Sequence, residues 1–356
     1  MAEQFCFCVP SKGSLQEGSH RLLANALIPI RLSLDSRSYS GRLAGLPGVE
    51  AVLAAASEIP RLVNSGQAHA GITGLDLVLE SAHEVQATRQ RIVYEDLGFG
   101  AARLVVGVPK SWIDVSSMRD LAEVAADFRH AHNRNLRVAT KFPNLTRAHF
   151  RSAGLADYRI VESLGATEGA PRVGTADLVV DLSSTGATFE SNGLKEVRGG
   201  LVVASQACLI ACTDRSAWTK SAKQLLEHIV GMIEASLSAQ NTRTLEARLD
   251  PGLTSRNLKE VEGLLIDAQW SGVSRFDDDS RPGDAGGVRL RALVATSELN
   301  RVIRLLRELG SQALIVGEPK LVLDRRQDHA ARFLLSLEHD QRSGSPSDCT
   351  EPGVRS

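Results

Sequence analysis

Short apolar runs alternate with amphipathic stretches along the chain as far as Cys212. The apolar runs predict seven strands: QFCFCVP, HAGITG, ARLVVGVP, LRVATKF, YRIVES, ADLVVDL and QACLIAC. Helices are predicted over SEIPRLVNSG, SMRDLAEVAADFRHAH and NLTRAHFRSAG, because each has Ser or Asn near its start. Nearly continuous apolar strands are typical of sheets that helices cover on both faces. This part is therefore predicted to be α/β, with mainly parallel sheets arranged in two lobes and a ligand cleft between them.

The pattern changes after Ser216. The stretch SAWTKSAKQLLEHIVGMIEASLSAQN predicts one long amphipathic helix. A β-α-β-α-β pattern follows in TRTLEARL, LTSRNLKEVEGLLID, VRLRALVA, SELNRVIRLLRELG and ALIVGEPKLVL, which favours a ferredoxin-like domain. FDDDSRPGDAGG is predicted to be a charged loop within it. The predicted division is residues 1–104 and 197–224 for the first lobe, 105–196 for the second lobe, 225–340 for the C-terminal domain and 341–356 for a disordered tail.

Composition excludes several classes of partner. The chain has 41 basic and 42 acidic residues and a formal net charge of -1, so no global field attracts nucleic acid or an anionic membrane. No apolar run approaches the length of a membrane span, and the N-terminus lacks the pattern of a signal peptide, so a cytoplasmic location is expected. The five cysteines form no CxxC motif and are predicted to be reduced thiols, most of them in core strands.

A short acidic and hydroxyl-rich segment carries the first chemical signal. The strand Leu178–Val180 runs into an acid and then into small residues that lead to a helix. Such a loop lets several N–H groups converge on a phosphate, and the acid can accept hydrogen bonds from two ribose hydroxyls. The alternative is a capped turn without ligand. The predicted phosphoribosyl-diphosphate residues are Asp181, Ser184, Thr185, Gly186, Ala187 and Thr188.

Several ordered blocks together resemble one enzyme family. They are VPSKGSLQE, RSYSGRLAGLPGVE, GITGLDLVLE, EDLGFGAARLVVGVP, RVATKFPNLTRAHF and ESLGATEGAPRVGTADLVVDLSSTGATFESNGLKEV. In this order, from about Phe5 to Cys212, they resemble ATP phosphoribosyltransferase, a glycosyltransferase that opens histidine biosynthesis. The resemblance implies a two-lobed core like a periplasmic binding protein. The implied reaction joins N1 of the ATP adenine to C1 of phosphoribosyl diphosphate, with Mg²⁺ present, and releases pyrophosphate and phosphoribosyl-ATP.

The implied reaction requires no protein nucleophile, because the attacking atom is a ring nitrogen of the substrate, so catalysis is expected to rest on positioning and charge. The ATP-binding residues carried over from the resemblance are Lys12, Gly13, Gly71, Thr73, Gly74, Asp76, Asp96, Gly98 and Arg103. Further cleft residues are Lys141, Asn144, Arg147 and Glu168. Mg²⁺ is expected to be held mainly by the substrate, with Glu168 or Asp181 as the candidate protein ligand.

Most of these assignments have a structural alternative. Asp76 and Asn144 also suit helix caps, and Lys12 and Arg147 also suit solvated surface positions. Glu168 has the alternative of an exposed loop acid. The sequence departs from the family pattern at Ser14, where relatives commonly carry arginine, so a phosphate contact at that position is in doubt.

The resemblance also bears on regulation and assembly. The family has a short form that needs a regulatory partner and a long form with its own ferredoxin-like, histidine-binding domain. The length and the C-terminal pattern here suit the long form, so feedback inhibition by L-histidine and a homo-oligomer, hexamer or dimer, are expected, while a separate regulatory subunit stays open. Two other functions remain: a non-catalytic module that binds a nucleotide or amino acid, and a salvage phosphoribosyltransferase acting on a free base. The latter commonly has two adjacent acids before its loop, whereas Val180 precedes Asp181 here.

Overall fold

The computed structural model describes residues 4–32, 40–83, 88–163, 167–183, 186–249, 274–277, 288–311, 313–323 and 328–339. The chain divides into two compact units. The first comprises Met1–His20, Arg31–Leu43 and Pro47–Ala222, and the second comprises Arg21–Ile30, Ala44–Leu46 and Lys223–Ser356. The predicted helix LTSRNLKEVEGLLID and the predicted tail 341–356 lie outside the described residues.

The first unit contains two sheets, each at the centre of one lobe. The strands of the first sheet are β1 (Phe5–Pro10), β2 (Ile30–Leu32), β3 (Ser40–Leu43), β4 (Val49–Ala54), β5 (Ala70–Gly74), β6 (Gln90–Tyr94) and β12 (Ala207–Cys212). Those of the second sheet are β7 (Ala102–Pro109), β8 (Leu136–Thr140), β9 (Tyr158–Glu162), β10 (Leu178–Ser183) and β11 (Leu194–Ser205). The spatial orders are β2-β3-β4-β1-β5-β12-β6 and β11-β7-β10-β8-β9.

Both sheets are mixed, which corrects the prediction of mainly parallel sheets. β1 is parallel to β4 and β5, and β8 is parallel to β9 and β10. In contrast, β7 and β12 are antiparallel to the neighbours with which they pair. Parallel neighbours need a crossover connection within one lobe. The chain instead enters the second lobe through β7 and returns to the first lobe through β12, so these two strands do not follow that pattern.

Helices connect these strands and cover the sheets. They are α1 (Gly13–Asn25), α2 (Ile59–Asn64), α3 (Leu75–Ala82), α4 (Met118–His132), α5 (Pro143–Ser152) and α6 (Ala187–Ser191). The long helix α7 (Lys220–Gln240) follows β12, and most of it belongs to the second unit. The start of α4 is a capping box, in which the Ser117 side chain accepts from the Asp120 N–H and the Asp120 carboxylate accepts from the Ser117 N–H. The core of the second lobe buries Leu104, Leu136 and Phe150 completely. The prediction of an α/β class is thus confirmed.

All seven predicted strands are present, but the pattern missed β2, β3, β4, β6 and β11. The short strand β2 has no buried position, and buried positions in β3 alternate with less buried ones, so neither strand gives a continuous apolar run. Residues 197–205, predicted to belong to the first lobe, are part of β11 in the second sheet, where pairing with β7 resumes at Leu201 after an irregularity and continues to Ser205. The four described cysteines are free; Cys8, Cys208 and Cys212 are buried in one apolar cluster and Cys6 packs against it.

The second unit holds an antiparallel sheet of β13 (Thr242–Leu249), β14 (Ser274–Asp277), β15 (Val288–Ala295) and β16 (Ala313–Gly317). Its order β14-β15-β13-β16 is that of a ferredoxin-like sheet, and α8 (Leu299–Glu308) packs on it through Val302 and Leu306. The predicted C-terminal domain is confirmed as a separate sheet. The first two residues of the predicted charged loop, Phe276 and Asp277, belong to β14 instead. A further helix, α9 (His329–His339), follows. Within the described residues, no helix has the length and apolarity needed to cross a membrane.

Candidate active site

The carboxyl edge of the second sheet carries the centre of the predicted phosphoribosyl-diphosphate site. β8 and β10 are parallel neighbours, and Thr140 is the register partner of Val180. Lys141 and Asp181 each follow one of these partners, so they occupy corresponding positions at the same edge. Lys141 is exposed, and its positive charge favours the ionised form of the Asp181 carboxyl. The fold thus brings together two residues that are distant in sequence.

Asp181 is partly buried at this edge, and several neighbours act on its carboxyl. Burial raises the pKa of its carboxyl, while the Leu182 N–H donates to Oδ1 at 2.8 Å and lowers the pKa, as does Lys141. The negative charge of Glu168 raises the pKa, and a hydrogen bond from Thr167 lowers it. Thr167 and Glu168 belong to a short 3-10 turn, Thr167–Gly169. The result is a pair of carboxylates with a lysine beside them, a set suited to hydroxyl donors and to a hydrated divalent cation.

Contacts at both ends of the loop after Asp181 hold it in place. Ser183 is buried, and its Oγ accepts a hydrogen bond from the Gly186 N–H at 3.1 Å. Gly186 has a φ of 77°, a left-handed conformation that favours glycine, and it precedes α6. Ala187 and Thr188 form the first turn of α6 and are exposed, while Ser184 and Thr185 lie outside the described residues. This arrangement leaves Ala187 and Thr188 at the surface of the lobe.

Phe189 anchors α6 to the sheet. Its ring is buried, and a Cβ added to Gly107 in β7 would lie 2.5 Å from the ring atom Cε2. Only glycine at position 107 therefore lets the helix pack this close to β7. The position of the loop is thus set by a core contact that involves none of the predicted ligand residues.

The carboxyl edge of the first sheet brings together two of the loops predicted to bind ATP. β1 and β5 are parallel neighbours, so the segments that follow them leave the sheet at the same edge. Lys12 and Gly13 come after β1 and are exposed at the start of α1, where Gly13 has a φ of 73°. Gly74 ends β5 and is the N-cap residue of α3. Two loops predicted to contact one nucleotide are therefore adjacent.

A third predicted segment packs against α1. Asp96 accepts a hydrogen bond from the Gly98 N–H at 2.8 Å, which closes a tight turn. A Cβ on Gly18 of α1 would overlap the ring of Phe99, and one on Gly100 would lie 2.8 Å from Leu15. The turn that contains Asp96 is consequently held against the helix that begins at Gly13.

Two predicted nucleotide contacts face the protein interior. A Cβ on Gly71 would lie 2.8 Å from Ile59 and 3.0 Å from Cys8, so this glycine permits close packing of β5 on β1 and α2. Thr73 is completely buried, and its hydroxyl donates to the Ala56 carbonyl at 2.7 Å. Both residues therefore pack beneath the carboxyl edge of the sheet.

Asp76 is also buried, with 5% of its surface exposed. Its Oδ1 accepts a hydrogen bond from the Ser205 hydroxyl at 2.5 Å, and the same hydroxyl accepts from the Asp76 N–H at 3.0 Å. Burial raises the pKa of this carboxyl, which the bond from Ser205 counteracts. These contacts favour the structural alternative, in which Asp76 fixes the start of α3.

The remaining predicted cleft residues have protein partners. Arg103 pairs with Glu196 at 3.0 Å, and both side chains are partly exposed. The Asn144 N–H donates to Glu80 Oε1 at 2.8 Å, and Arg147 Nη1 donates to Asn144 Oδ1 at 3.2 Å. The pattern missed Glu80, although it lies four residues after Asp76 on the same helix face. It also missed Ser183, Thr167 and Ser205, which have no sequence signal of their own.

No group of three or more His, Cys, Asp or Glu side chains with metal-ligand geometry occurs among the described residues. Together, the fold and the two edges define a two-lobed α/β protein whose candidate ligand loops follow the carboxyl ends of its strands.

Comparison with known proteins identifies the family. The family model for ATP phosphoribosyltransferase (HisG) matches residues 55–235. An ATP phosphoribosyltransferase of Nitrobacter winogradskyi is 40% identical over 325 residues, covering 91% of this chain and 96% of that protein. One of Rhodopseudomonas palustris is 43% identical over 327 residues, with 91% and 96% covered. A solved ATP phosphoribosyl transferase (HisG:HisZ) complex from Thermotoga maritima is 22% identical, covers 65% of this chain and 98% of that one, and has a TM-score of 0.48.

The chain belongs to the ATP phosphoribosyltransferase family. The prediction of a glycosyl-transferring enzyme at the first step of histidine biosynthesis is thereby confirmed. The two alternatives, a non-catalytic binding module and a salvage enzyme for free bases, are not supported by any of these matches.

Proposed function

We propose that this chain transfers the 5-phosphoribosyl group of phosphoribosyl diphosphate to N1 of ATP, using the two sheet edges as two half-sites. The second lobe binds phosphoribosyl diphosphate through Asp181 and the loop 184–188. The first lobe binds ATP through Lys12, Gly13 and the turn at Asp96. The observation that carries the proposal is the placement of Lys141 and Asp181 at the ends of adjacent parallel strands, where the lysine charge acts on the carboxylate, beside a loop of small residues.

The chemistry follows from these groups. The adenine N1 lone pair forms a bond to C1 of the ribose while the bond from C1 to the pyrophosphate oxygen breaks, and its electron pair leaves with pyrophosphate. Positive charge develops on the ribose ring, and negative charge develops on the leaving group. The Asp181 carboxylate accepts hydrogen bonds from the ribose hydroxyls and holds the ring in place. Lys141 offers a positive charge to the phosphate oxygens. Positioning and preorganised charge of this kind can supply a large part of the rate enhancement.

The carboxylate pair also fits Mg²⁺. Glu168 and Asp181 are close enough for the charge of one to raise the pKa of the other, which is the situation that a divalent cation relieves. Two carboxylates suit Mg²⁺, which usually keeps several waters and is bound largely by substrate phosphates. When bound, the ion neutralises charge on the departing pyrophosphate, and Glu168 and Asp181 are the residues that would hold it.

A cavity of the second unit supports feedback by L-histidine. It has a volume of about 370 Å³, within the range of small-molecule sites. Glu246 and Arg291 are register partners in its wall, and their side chains are 3.3 Å apart. An amino acid carries one ammonium and one carboxylate, so it can pair with both charges. We propose this wall as the place where L-histidine binds.

The test uses the purified full chain with ATP, phosphoribosyl diphosphate and Mg²⁺, and follows the near-ultraviolet absorbance of phosphoribosyl-ATP. The expected result is product formation that stops when Mg²⁺ is chelated and falls when L-histidine is added. Product formation that ignores histidine would refute the feedback proposal alone. Light scattering on the same sample measures whether the chain is a dimer or a hexamer. Absence of product, also after addition of a separate regulatory subunit, would refute the proposed function.

A further inference from the structure

The helix α3 of the first lobe is fastened to the second lobe near its C-terminal end. Glu80, with 8% of its surface exposed, accepts a hydrogen bond from the Asn144 N–H through Oε1 at 2.8 Å. Its Oε2 accepts from the Leu145 N–H at 2.9 Å. Both donors belong to the first turn of α5, where the N-cap residue Phe142 makes no side-chain hydrogen bond. A carboxylate from the other lobe therefore caps this helix.

The opposite end of α3 is fastened to the strand that returns from the second lobe. The Leu75 N–H donates to the Gln206 carbonyl at 2.9 Å. Ser205, the last residue of β11, bonds both the backbone and the carboxylate of Asp76. Asp76 and Glu80 are four residues apart and lie on one face of the helix. One short helix thus connects the first lobe to two separate elements of the second.

The helix α5 begins two residues after Lys141. If the first turn of α5 shifts relative to α3, the short connection between β8 and α5, which contains Lys141, shifts with it. At its other end α3 begins directly after Gly74, at the ATP edge of the first sheet. The two half-sites are therefore linked through α3 and α5 by the carboxylate of Glu80.

We propose that Glu80 is a positioning residue for phosphoribosyl transfer, which fixes the ATP half-site of the first lobe relative to the phosphoribosyl half-site of the second. This assignment rests on the proposed function. Each substrate contacts mainly its own lobe, so binding of one substrate alone tolerates a small displacement between the lobes. The chemical step does not, because N1 and C1 must meet at bonding distance, and a misplacement of about 1 Å can cost roughly 100-fold in rate.

The experiment compares Glu80→Gln with a matched control, Asp120→Asn. Glutamine retains the shape of the side chain but loses its charge and one of its two acceptors. Asp120 caps α4 within the second lobe, with its Oδ2 2.9 Å from the N–H nitrogens of both Ser116 and Ser117. Both variants thus lose a helix-capping carboxylate, but only Glu80→Gln alters a contact between the lobes.

For Glu80→Gln we expect kcat to fall about 10- to 100-fold, while the Kd of each substrate, measured separately by calorimetry, stays within about twofold. Hydrogen exchange at the start of α5 should become faster. Asp120→Asn should keep the wild-type kcat even if its melting temperature falls as far. Wild-type kcat and exchange in Glu80→Gln, or an equal loss of kcat in Asp120→Asn, would overturn the assignment and leave the proposed function intact. A wild-type chain that makes no phosphoribosyl-ATP would refute both.

Discussion

The two ends of β10 offer the sharpest test of the candidate site. Asp181 lies at the carboxyl edge of the strand, and Asp177 lies just before its first residue. Replacing each with Asn removes one carboxylate from the same strand and changes the side-chain volume little. Because only Asp181 is at the proposed ligand edge, Asp181→Asn should lower activity and keep stability, whereas Asp177→Asn should lower stability and keep activity.

Asp181→Asn should lower activity strongly without destabilising the fold. A hydrogen bond to a charged group contributes about 1.5–3 kcal/mol, and the carboxylate is proposed to accept two from the ribose. Asparagine retains one neutral acceptor, so we expect a loss of about 2–4 kcal/mol, or about 30- to 1000-fold in kcat/KM. Burial raises the pKa of Asp181 in the folded state. The stability that protonation contributes is complete below the unfolded pKa and is lost as the pH rises through the folded pKa. At pH 7 the variant should therefore be as stable as the wild type or more stable.

Asp177→Asn should do the reverse. Arg134 donates to both carboxylate oxygens of Asp177 at 2.7 and 3.0 Å, and the Arg137 N–H donates at 2.8 Å. Although burial opposes ionisation, these contacts hold the pKa of Asp177 well below its usual range. Removing a partly buried hydrogen-bonded charge costs about 1–3 kcal/mol, which corresponds to several degrees in melting temperature. kcat/KM should stay within about twofold of the wild type, because the contacts are at the far end of the strand.

The assay combines steady-state kinetics of phosphoribosyl-ATP formation with thermal unfolding at pH 7. If Asp181→Asn kept its kcat/KM, the carboxylate would not contact the ribose and the proposed half-site would be wrong. If instead Asp181→Asn lost activity only in step with its melting temperature, its role would be structural. Equal losses of kcat/KM in both variants would show that activity does not depend on which end of β10 carries the substitution.

Two further predictions concern the support of the site and its response to acid. Gly107→Ala should lower the unfolding free energy by about 1–3 kcal/mol, because the new Cβ would lie 2.5 Å from the Phe189 ring that anchors α6. It should also raise the KM for phosphoribosyl diphosphate. An unchanged KM would mean that this contact does not fix the position of the loop. Below about pH 4 the wild-type chain should lose stability as the pH falls towards the lowered pKa of Asp177. In Asp177→Asn, the unfolding free energy measured in urea should depend less on pH. The same pH dependence in both proteins would contradict the pairing of Asp177 with Arg134 and Arg137.

Local patterning was sufficient for much of the fold. The strands of the second lobe, such as β7 and β10, are continuous apolar runs because helices cover both faces of the sheet, and such runs are visible in sequence. The left-handed Gly186 and the adjacent hydroxyl residues are likewise a local feature. Short strands such as β2 and β3 were missed, since short, partly exposed strands have no distinctive pattern. The mixed direction of the sheets was missed too, because the path of the chain between lobes is not a local property.

The sequence by itself determined the α/β class, the separate C-terminal domain, the acidic and small-residue loop, and the family, because each is written in contiguous residues. Only the tertiary structure decided what the individual side chains do. It turned Gly71, Thr73 and Asp76 inward, where they pack and hydrogen-bond, and it brought Lys141 beside Asp181. It also joined Glu80 to the start of α5. These contacts depend on strand register and on the packing of two lobes. They join residues that are far apart in the chain, so no single stretch of sequence specifies them.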